Sequence, residues 1–208
     1  MNREAFSDLL EIDVSRETFE RLNFYHDTLI KWSKTHNLIG PREREQIWTR
    51  HFADCLQLVP MIDPDAKLVD IGSGAGFPGL VIACAQADNF RPAITLVEPN
   101  LKRCAFLRHV SHSLSLNVEV MNDRIENVSR ETFDVVTSRA VSSLTKLLEM
   151  GAPWLENGAK ALFLKGHNAE EELTEARHYW NFKVQMKPSR SDSHGVVLSL
   201  SEVRIRDV

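Results

Sequence analysis

A short apolar run that leads straight into three alternating glycines and then a helix constrains this 208-residue chain more than any other feature. The segment is LVDIGSGAGFPG, residues 68–79. Gly72, Gly74 and Gly76 alternate before a helix that starts near Pro78. Glycine is needed where the backbone turns sharply or where a ligand must approach the main chain. The helix that follows offers free N–H groups at its N-terminus. A dinucleotide fingerprint, G-x-G-x-x-G, would need a third glycine at position 77, which is Phe77. The spacing therefore suits a nucleoside cofactor without a pyrophosphate.

Strand and helix patterns alternate on both sides of that turn. LVDIG (68–72), AITLVEP (93–99), NVEVMN (117–122), FDVVTSRA (133–140) and AKALFLKG (159–166) read as strands. GLVIACAQA (79–87), LKRCAFLRHVSHSL (101–114), SSLTKLLEMGAPWL (142–155) and AEEELTEARHYW (169–180) read as the helices between them. Such alternation predicts a doubly wound α/β sheet, mostly parallel. FKVQMKP and GVVLSLSEVRI follow with no helix between them, so the last two strands should pair antiparallel. The expected fold is a Rossmann-like, doubly wound, mostly parallel seven-stranded sheet with an antiparallel last strand, spanning residues 67–208. Residues 1–66 form a helical N-terminal extension. Within it Phe19, Leu22, Tyr25, Leu29 and Trp32 recur at helical spacing behind Ser15, a candidate N-cap, until Asn37, Gly40 and Pro41 break the pattern. A second helix is predicted over REREQIWTRHFADCLQLVP, with Trp48, Phe52, Cys55 and Val59 on one side. Trp32, Trp48 and Phe52 are expected to be core.

Composition excludes several classes. Hydrophobic residues are 43% and charged residues 26%, which suits a globular core rather than a disordered chain. No apolar run is long enough to span a membrane, and MNREAFSDLLEID lacks a signal-peptide core, so a cytoplasmic protein is expected. Cys55, Cys84 and Cys104 show no metal-ligand spacing and read as buried filler; no metal site is expected. The net charge of −4 argues against indiscriminate nucleic-acid binding. The deficit is local, however. Residues 1–66 hold 8 bases and 12 acids, whereas 67–208 hold 17 of each. Basic clusters stand at 31–54 and at Lys102, Arg103 and Arg108.

Two further segments fall on the same edge of the sheet as the glycines. Glu98 ends the second strand, where an acid in doubly wound folds accepts hydrogen bonds from ribose hydroxyls. Asp123–Arg124–Ile125–Glu126 follows the third strand, where an apolar side chain can pack on a purine. Together these predict an S-adenosyl-L-methionine site.

Several motifs extend this reading over nearly the whole chain: WSKTHNL (32–38), TRHFADC (49–55), LVDIGSGAGFPG (68–79), LKRCAFLRHV (101–110), FDVVTSRAVSSL (133–144) and FLKG (163–166). In this order the chain resembles the bacterial 16S ribosomal RNA small-subunit methyltransferase G family, also called glucose-inhibited division protein B. The resemblance implies methyl transfer from S-adenosyl-L-methionine to N7 of one guanine (guanine 527) in 16S rRNA of the small ribosomal subunit. By position it also implies that Gly72 and Phe77 sit on the cofactor loop, that Ile125 and Glu126 contact adenosine, and that Arg139 lies on the cofactor side. Ala75 stands where that pattern has proline, and GVVLSLS lacks a basic residue expected near the C-terminus.

Guanine N7 carries a lone pair and no proton, so its methylation needs no general base. The enzyme must mainly hold acceptor and methyl group in line. The chain has neither an NPPY-type motif for an exocyclic amine nor a Pro-Cys nucleophile for a pyrimidine. Arg139, which ends an apolar strand at the cofactor edge, is the expected catalytic residue. Gly72, Gly74, Phe77, Glu98, Ile125, Glu126 and Arg139 are the expected cofactor set. Lys165, Arg103 and Arg108 are the expected RNA contacts, with Arg50 and His51 left without a role. A small-molecule methyltransferase using the same cofactor is the alternative, and a non-enzymatic interaction factor a third. No coiled coil stands out, so the expected form is a monomer.

Overall fold

The computed structural model describes residues 1–88, 93–128, 132–139 and 141–206. Seven strands form one sheet: β1 (Leu68–Ile71), β2 (Ile94–Val97), β3 (Val118–Met121), β4 (Val135–Arg139), β5 (Lys160–Lys165), β6 (Trp180–Pro188) and β7 (Val196–Ile205). Their order is β3-β2-β1-β4-β5-β7-β6, and only β7 runs against its neighbours. This is the predicted fold class, and the last two strands pair as expected. Of the predicted fourth strand, Ala140 lies outside the described residues. β6 begins at Trp180, two residues earlier than the pattern suggests, because the preceding helix α8 (Ala169–Ala176) stops short of HYW.

Strand alternation splits the core in two. Leu68, Leu96, Val135 and Leu162 face one side, where α5 (Gly79–Gln86) and α6 (Leu101–Ser113) pack. Val69, Ile71, Val136 and Phe163 face the other, where α7 (Leu144–Leu155) and α8 pack. Period-two side-chain direction requires this division. α5 lies very close to the sheet. A Cβ on Gly79 would come within 2.4 Å of Leu96 Cδ2 and 2.8 Å of Asp70 Cβ, so that approach requires glycine.

The extension packs on the α5–α6 side and shares that core through Phe6, Leu22, Tyr25, Leu29 and Phe52. It begins with α1 (Arg3–Leu10) and α2 (Arg16–His36). Ser15 caps α2 by accepting from Thr18 N–H at 3.1 Å, and Asn37 ends it in the left-handed region at φ 48°. The single helix expected after Pro41 does not form. α3 (Pro41–Arg44) is followed by a π-helical turn (Ile47–Phe52), then α4 (Ala53–Leu56) and a 3₁₀ turn (Val59–Met61). Residues 51–56 are all buried, which one face of a regular helix cannot achieve. The wide turn instead rotates His51 and Asp54 inward, a distortion frequent at functional sites.

Candidate active site

β1 ends at Ile71, and the glycine turn rises from its carboxyl edge. Gly72, Gly74 and Gly76 hold φ of +66°, +58° and +103°, a region other residues enter only at a cost. The turn is tied down from three directions. Gly72 and Ser73 N–H donate to the Val97 carbonyl at 2.9 and 3.1 Å. Gly74 N–H donates to Glu98 Oε2 at 2.8 Å, and Asn100 N–H to Oε1 at 2.9 Å. From the extension, the buried Tyr25 hydroxyl donates to the Ala75 carbonyl. Beneath the turn, Asp70 is fully buried and accepts from Thr137 Oγ1 at 3.0 Å and Gly79 N–H at 3.2 Å. Burial pushes its carboxyl up to about 7.

Above this turn lies a cavity of about 500 Å³ lined by Gly72, Gly74, Phe77, Glu98, Arg103 and Arg139 among others. It adjoins a narrower one of about 170 Å³, bounded by Gly72, Val97, Ile125, Glu126, Val141 and Met150. Gly72, Pro99 and Val141 line both. A Cβ on Gly74 would meet nothing nearer than the Gly72 carbonyl oxygen at 3.8 Å, so the space over it is open. The pair of cavities fits a nucleoside cofactor with an amino-acid arm. The slot at Ile125 is largely apolar, as a purine requires, and the larger chamber carries the polar groups. The expected cofactor residues therefore come together. Glu98 is buried, with both oxygens already accepting backbone N–H groups, so any ribose hydroxyl would add to a carboxylate that also shapes the turn.

Arg139 stands at the far end of the larger chamber. Its Nε pairs with Asp54 Oδ2 at 3.4 Å, and its guanidinium lies 5.6 Å over the Phe77 ring. Arg139 Nη1 is buried and has no hydrogen-bond partner among the described residues. His51 stacks on the same Phe77 ring, with centroids 4.8 Å apart and planes 17° apart. It is 6% exposed, and neither ring nitrogen has a partner. Burial first, then the charges of Arg139 and Arg50, push its pKa down to about 3, so the imidazole is neutral. Arg139 and His51 both line the larger chamber, and buried polar groups without partners among the described residues are unusual in a native structure.

A second chamber of about 400 Å³ lies beyond Arg139 and Val141, which also line the first. Its walls come from distant parts of the chain: Arg50 and Asp54 from the extension, Lys165 from β5, Glu172 from α8, and Asp192 from the β6–β7 loop. Lys165 Nζ bonds Glu172 Oε2 and the Ser142 carbonyl, each at 2.7 Å, with 6% of its side chain exposed. Asp54 is the hub of the assembly. Its Oδ1 accepts from Ser189 Oγ at 2.8 Å, Ser191 Oγ at 3.2 Å and Gln57 Nε2 at 2.8 Å. Arg190 extends the same clasp to the Leu10 carbonyl and to Glu11 at 3.6 Å.

Two expected RNA contacts fall elsewhere. Arg103 sits 3.9 Å from Glu98 and lines the cofactor chamber, because Asn100 caps α6 and sets Arg103 in its first turn at the strand ends. Arg108 donates to the Val120 carbonyl at 2.8 Å, beside the edge strand β3. Sequence reasoning missed Tyr25, Asp54 and Asp192 and gave His51 no role. An Asp and a His three residues apart within the apolar run HFADCL were the available signal. The three cysteines are buried, and burial pushes the thiols of Cys55 and Cys84 up, away from nucleophilic character.

Comparison with known proteins agrees with this geometry. A family model described as rRNA small subunit methyltransferase G matches residues 18–195. A protein of Hyphomonas neptunium named ribosomal RNA small subunit methyltransferase G is 46% identical over 99% of this chain and 97% of its own. One of the same name from Paramagnetospirillum magneticum is 47% identical over 94% of each. Among solved structures, a methyltransferase from Geobacter sulfurreducens superposes with a TM-score of 0.58 at 16% identity, over 85% of this chain and 89% of its own, a likeness of fold.

Proposed function

The chain belongs to the rRNA small subunit methyltransferase G family, and on that premise we propose that it methylates N7 of one guanine in 16S rRNA, with S-adenosyl-L-methionine as donor. The observation that carries this reading is the meeting of the two chambers at Arg139 and Val141. A cofactor cradle built on Gly72 and Gly74 abuts a polar space open to a second reactant, so a transferable group would need to cross only one wall.

S-adenosyl-L-methionine would supply an electrophilic methyl group on a sulfonium sulfur. Gly72, Gly74 and Glu98 would hold its ribose side, Ile125 and Glu126 its adenine, and Arg139 and His51 would stand nearest its reactive end. Nothing in this set is poised as a general base, since burial and two arginines make His51 a much weaker proton acceptor than a free imidazole. That suits an acceptor atom that arrives already deprotonated. What the protein supplies is alignment, which can account for about 7–11 kcal/mol of a bimolecular barrier. A neutral imidazole beside the sulfonium also avoids the repulsion that a protonated one would impose.

Among the described residues no helix is long and apolar enough to cross a membrane. We read the protein as a cytosolic monomer acting on the small subunit or its assembly intermediate. The test is incubation with methyl-labelled S-adenosyl-L-methionine and small subunits lacking the modification, followed by mapping of the labelled base. Label at N7 of a single 16S guanine is the expected result. No incorporation by protein that demonstrably binds the cofactor would overturn the reading.

A further inference from the structure

The larger cavity at the glycine turn has an assigned occupant; the 400 Å³ chamber on the other side of Arg139 has none. We propose that this chamber is the acceptor pocket, and that Asp192 selects guanine by accepting hydrogen bonds from its N1–H and N2–H₂ edge. The inference rests on the N7-guanine reading above.

Guanine presents two acceptors, N7 and O6, on one edge and donors at N1 and N2 on the opposite side. N7 must stay free to react. Arginine commonly grips guanine with two donors on O6 and N7, which here would block the reaction. Asp54 anchors Arg139 through Nε at 3.4 Å, which fixes where the rest of the guanidinium points. Arg139 lines both chambers, and a single donor from its guanidinium to O6 would leave N7 free. The N7/O6 edge would thus face the cofactor chamber and the N1/N2 edge the β6–β7 loop.

That loop offers Asp192. Its Oδ1 accepts from His194 N–H at 2.9 Å, whereas the cations around it stand back: Arg50 Nη2 lies 3.7 Å from Oδ2, and His194 Nδ1 lies 3.9 Å from Oδ1. No hydrogen bond to Oδ2 is made among the described residues, and the side chain is 30% exposed, beside the chamber it lines. The other carboxylates there are committed. Asp54 holds Arg139 and two loop serines, and Glu172 Oε2 holds Lys165 at 2.7 Å and Leu144 N–H.

The chemistry makes this contact more than a grip. In the transfer the N7 lone pair forms the new N–CH₃ bond while the electron pair of the broken S–CH₃ bond stays on sulfur, and no proton moves. Positive charge passes to the purine, and its N1–H and N2–H groups become stronger donors. A carboxylate on that edge binds the transition state better than the ground state, which is the condition for raising kcat. Adenine would set a donor against Arg139 and a lone pair against Asp192, so the same two groups reject it.

The test uses the full-length protein and small subunits whose 16S rRNA carries guanine or inosine at the target; inosine lacks only the 2-amino group. Steady-state kinetics, cofactor affinity by calorimetry and subunit affinity without cofactor are measured for the wild type and Asp192→Asn. Expected is a fall of about 100-fold in kcat/KM for Asp192→Asn, partly in kcat, with cofactor affinity unchanged. Inosine should cost the wild type about tenfold or more and cost the variant less than about twofold further, since its partner is already lost. Equal handling of guanine and inosine by the wild type would overturn the proposal. So would an undiminished inosine penalty in Asp192→Asn, or a variant whose loss lies wholly in cofactor affinity. A wild type that methylates neither subunit while binding cofactor would instead sink the underlying N7 reading.

Discussion

The two chambers that meet at Arg139 are built by opposite strategies. The cofactor chamber is made at strand ends by short, continuous pieces of chain: the turn after β1, Glu98 after β2, Ile125 after β3. The second chamber gathers Arg50, Asp54, Lys165, Glu172 and Asp192 from four separate regions and holds them with side-chain pairs: Asp54 with Arg139 and two loop serines, Lys165 with Glu172, and Arg50 beside Asp192. The first owes its shape to backbone conformation and the second to tertiary contacts. The two should therefore fail differently, the first through backbone changes at the glycine turn and the second through loss of a side-chain partner. A buried ion pair with one partner removed leaves an uncompensated charge.

The contrast can be broken most sharply at the shared wall. Arg139→Ala should lower methyl incorporation about 1,000-fold, because one positioned donor serves both chambers; circular dichroism should show the chain still folded. Activity near wild type would mean the chambers do not meet functionally. Next comes a change at the glycine turn. Gly72→Ala must place a Cβ 2.7 Å from Val141 Cγ2 at φ +66°. Strain and overpacking of about 3 kcal/mol should weaken cofactor binding about 100-fold, a larger loss than in affinity for the small subunit measured without cofactor.

A third prediction concerns pH. His51 has its pKa lowered to about 3 in the fold, against about 6.5 when unfolded. As pH falls from 7 to 5 the unfolded chain takes up a proton that the folded one refuses, so the fold loses about 2 kcal/mol through this residue. His51→Phe keeps the stack on Phe77 and lacks the titration. The stability difference between variant and wild type should therefore shift by about 2 kcal/mol toward the variant over that window in urea unfolding. A constant difference would mean His51 protonates within the fold. The smallest effect is expected at Tyr25→Phe. It removes the hydroxyl that holds the Ala75 carbonyl and should cost about 1 kcal/mol of stability.

The same contrast explains what could be read from the chain. The gathering of Gly72, Glu98 and Ile125 around adjoining cavities was legible because it follows from position relative to a strand end, and strand ends are marked by local pattern. The sheet itself was legible for that reason. Asp54 was not, since its partners Arg139, Ser189 and Ser191 lie more than 80 residues away and no periodicity announces them. The stretch after Pro41 misled in a related way. Its apolar spacing fits a regular helix, but burial on all sides by α2, α5 and the β6–β7 loop favours a wide turn instead. Arg103 was expected among the RNA contacts from the charge of its cluster, and the cap at Asn100 sets it at the strand ends beside Glu98 and the larger cavity.

The strand order also bears on how the molecule is made. β7, the last strand in sequence, is not at the rim of the sheet but lies between β5 and β6. While the chain is being synthesised, β5 must wait for it with its ladder groups unpaired along the apolar run ALFL. An exposed apolar strand edge is a template for pairing with another chain. The glycine turn, Glu98 and Ile125 have all emerged by that time, so a nascent chain could carry a nearly complete cofactor cradle while its sheet is still open to the wrong neighbour. The C-terminal strand is thus a keystone: the piece added last is the one that locks the row.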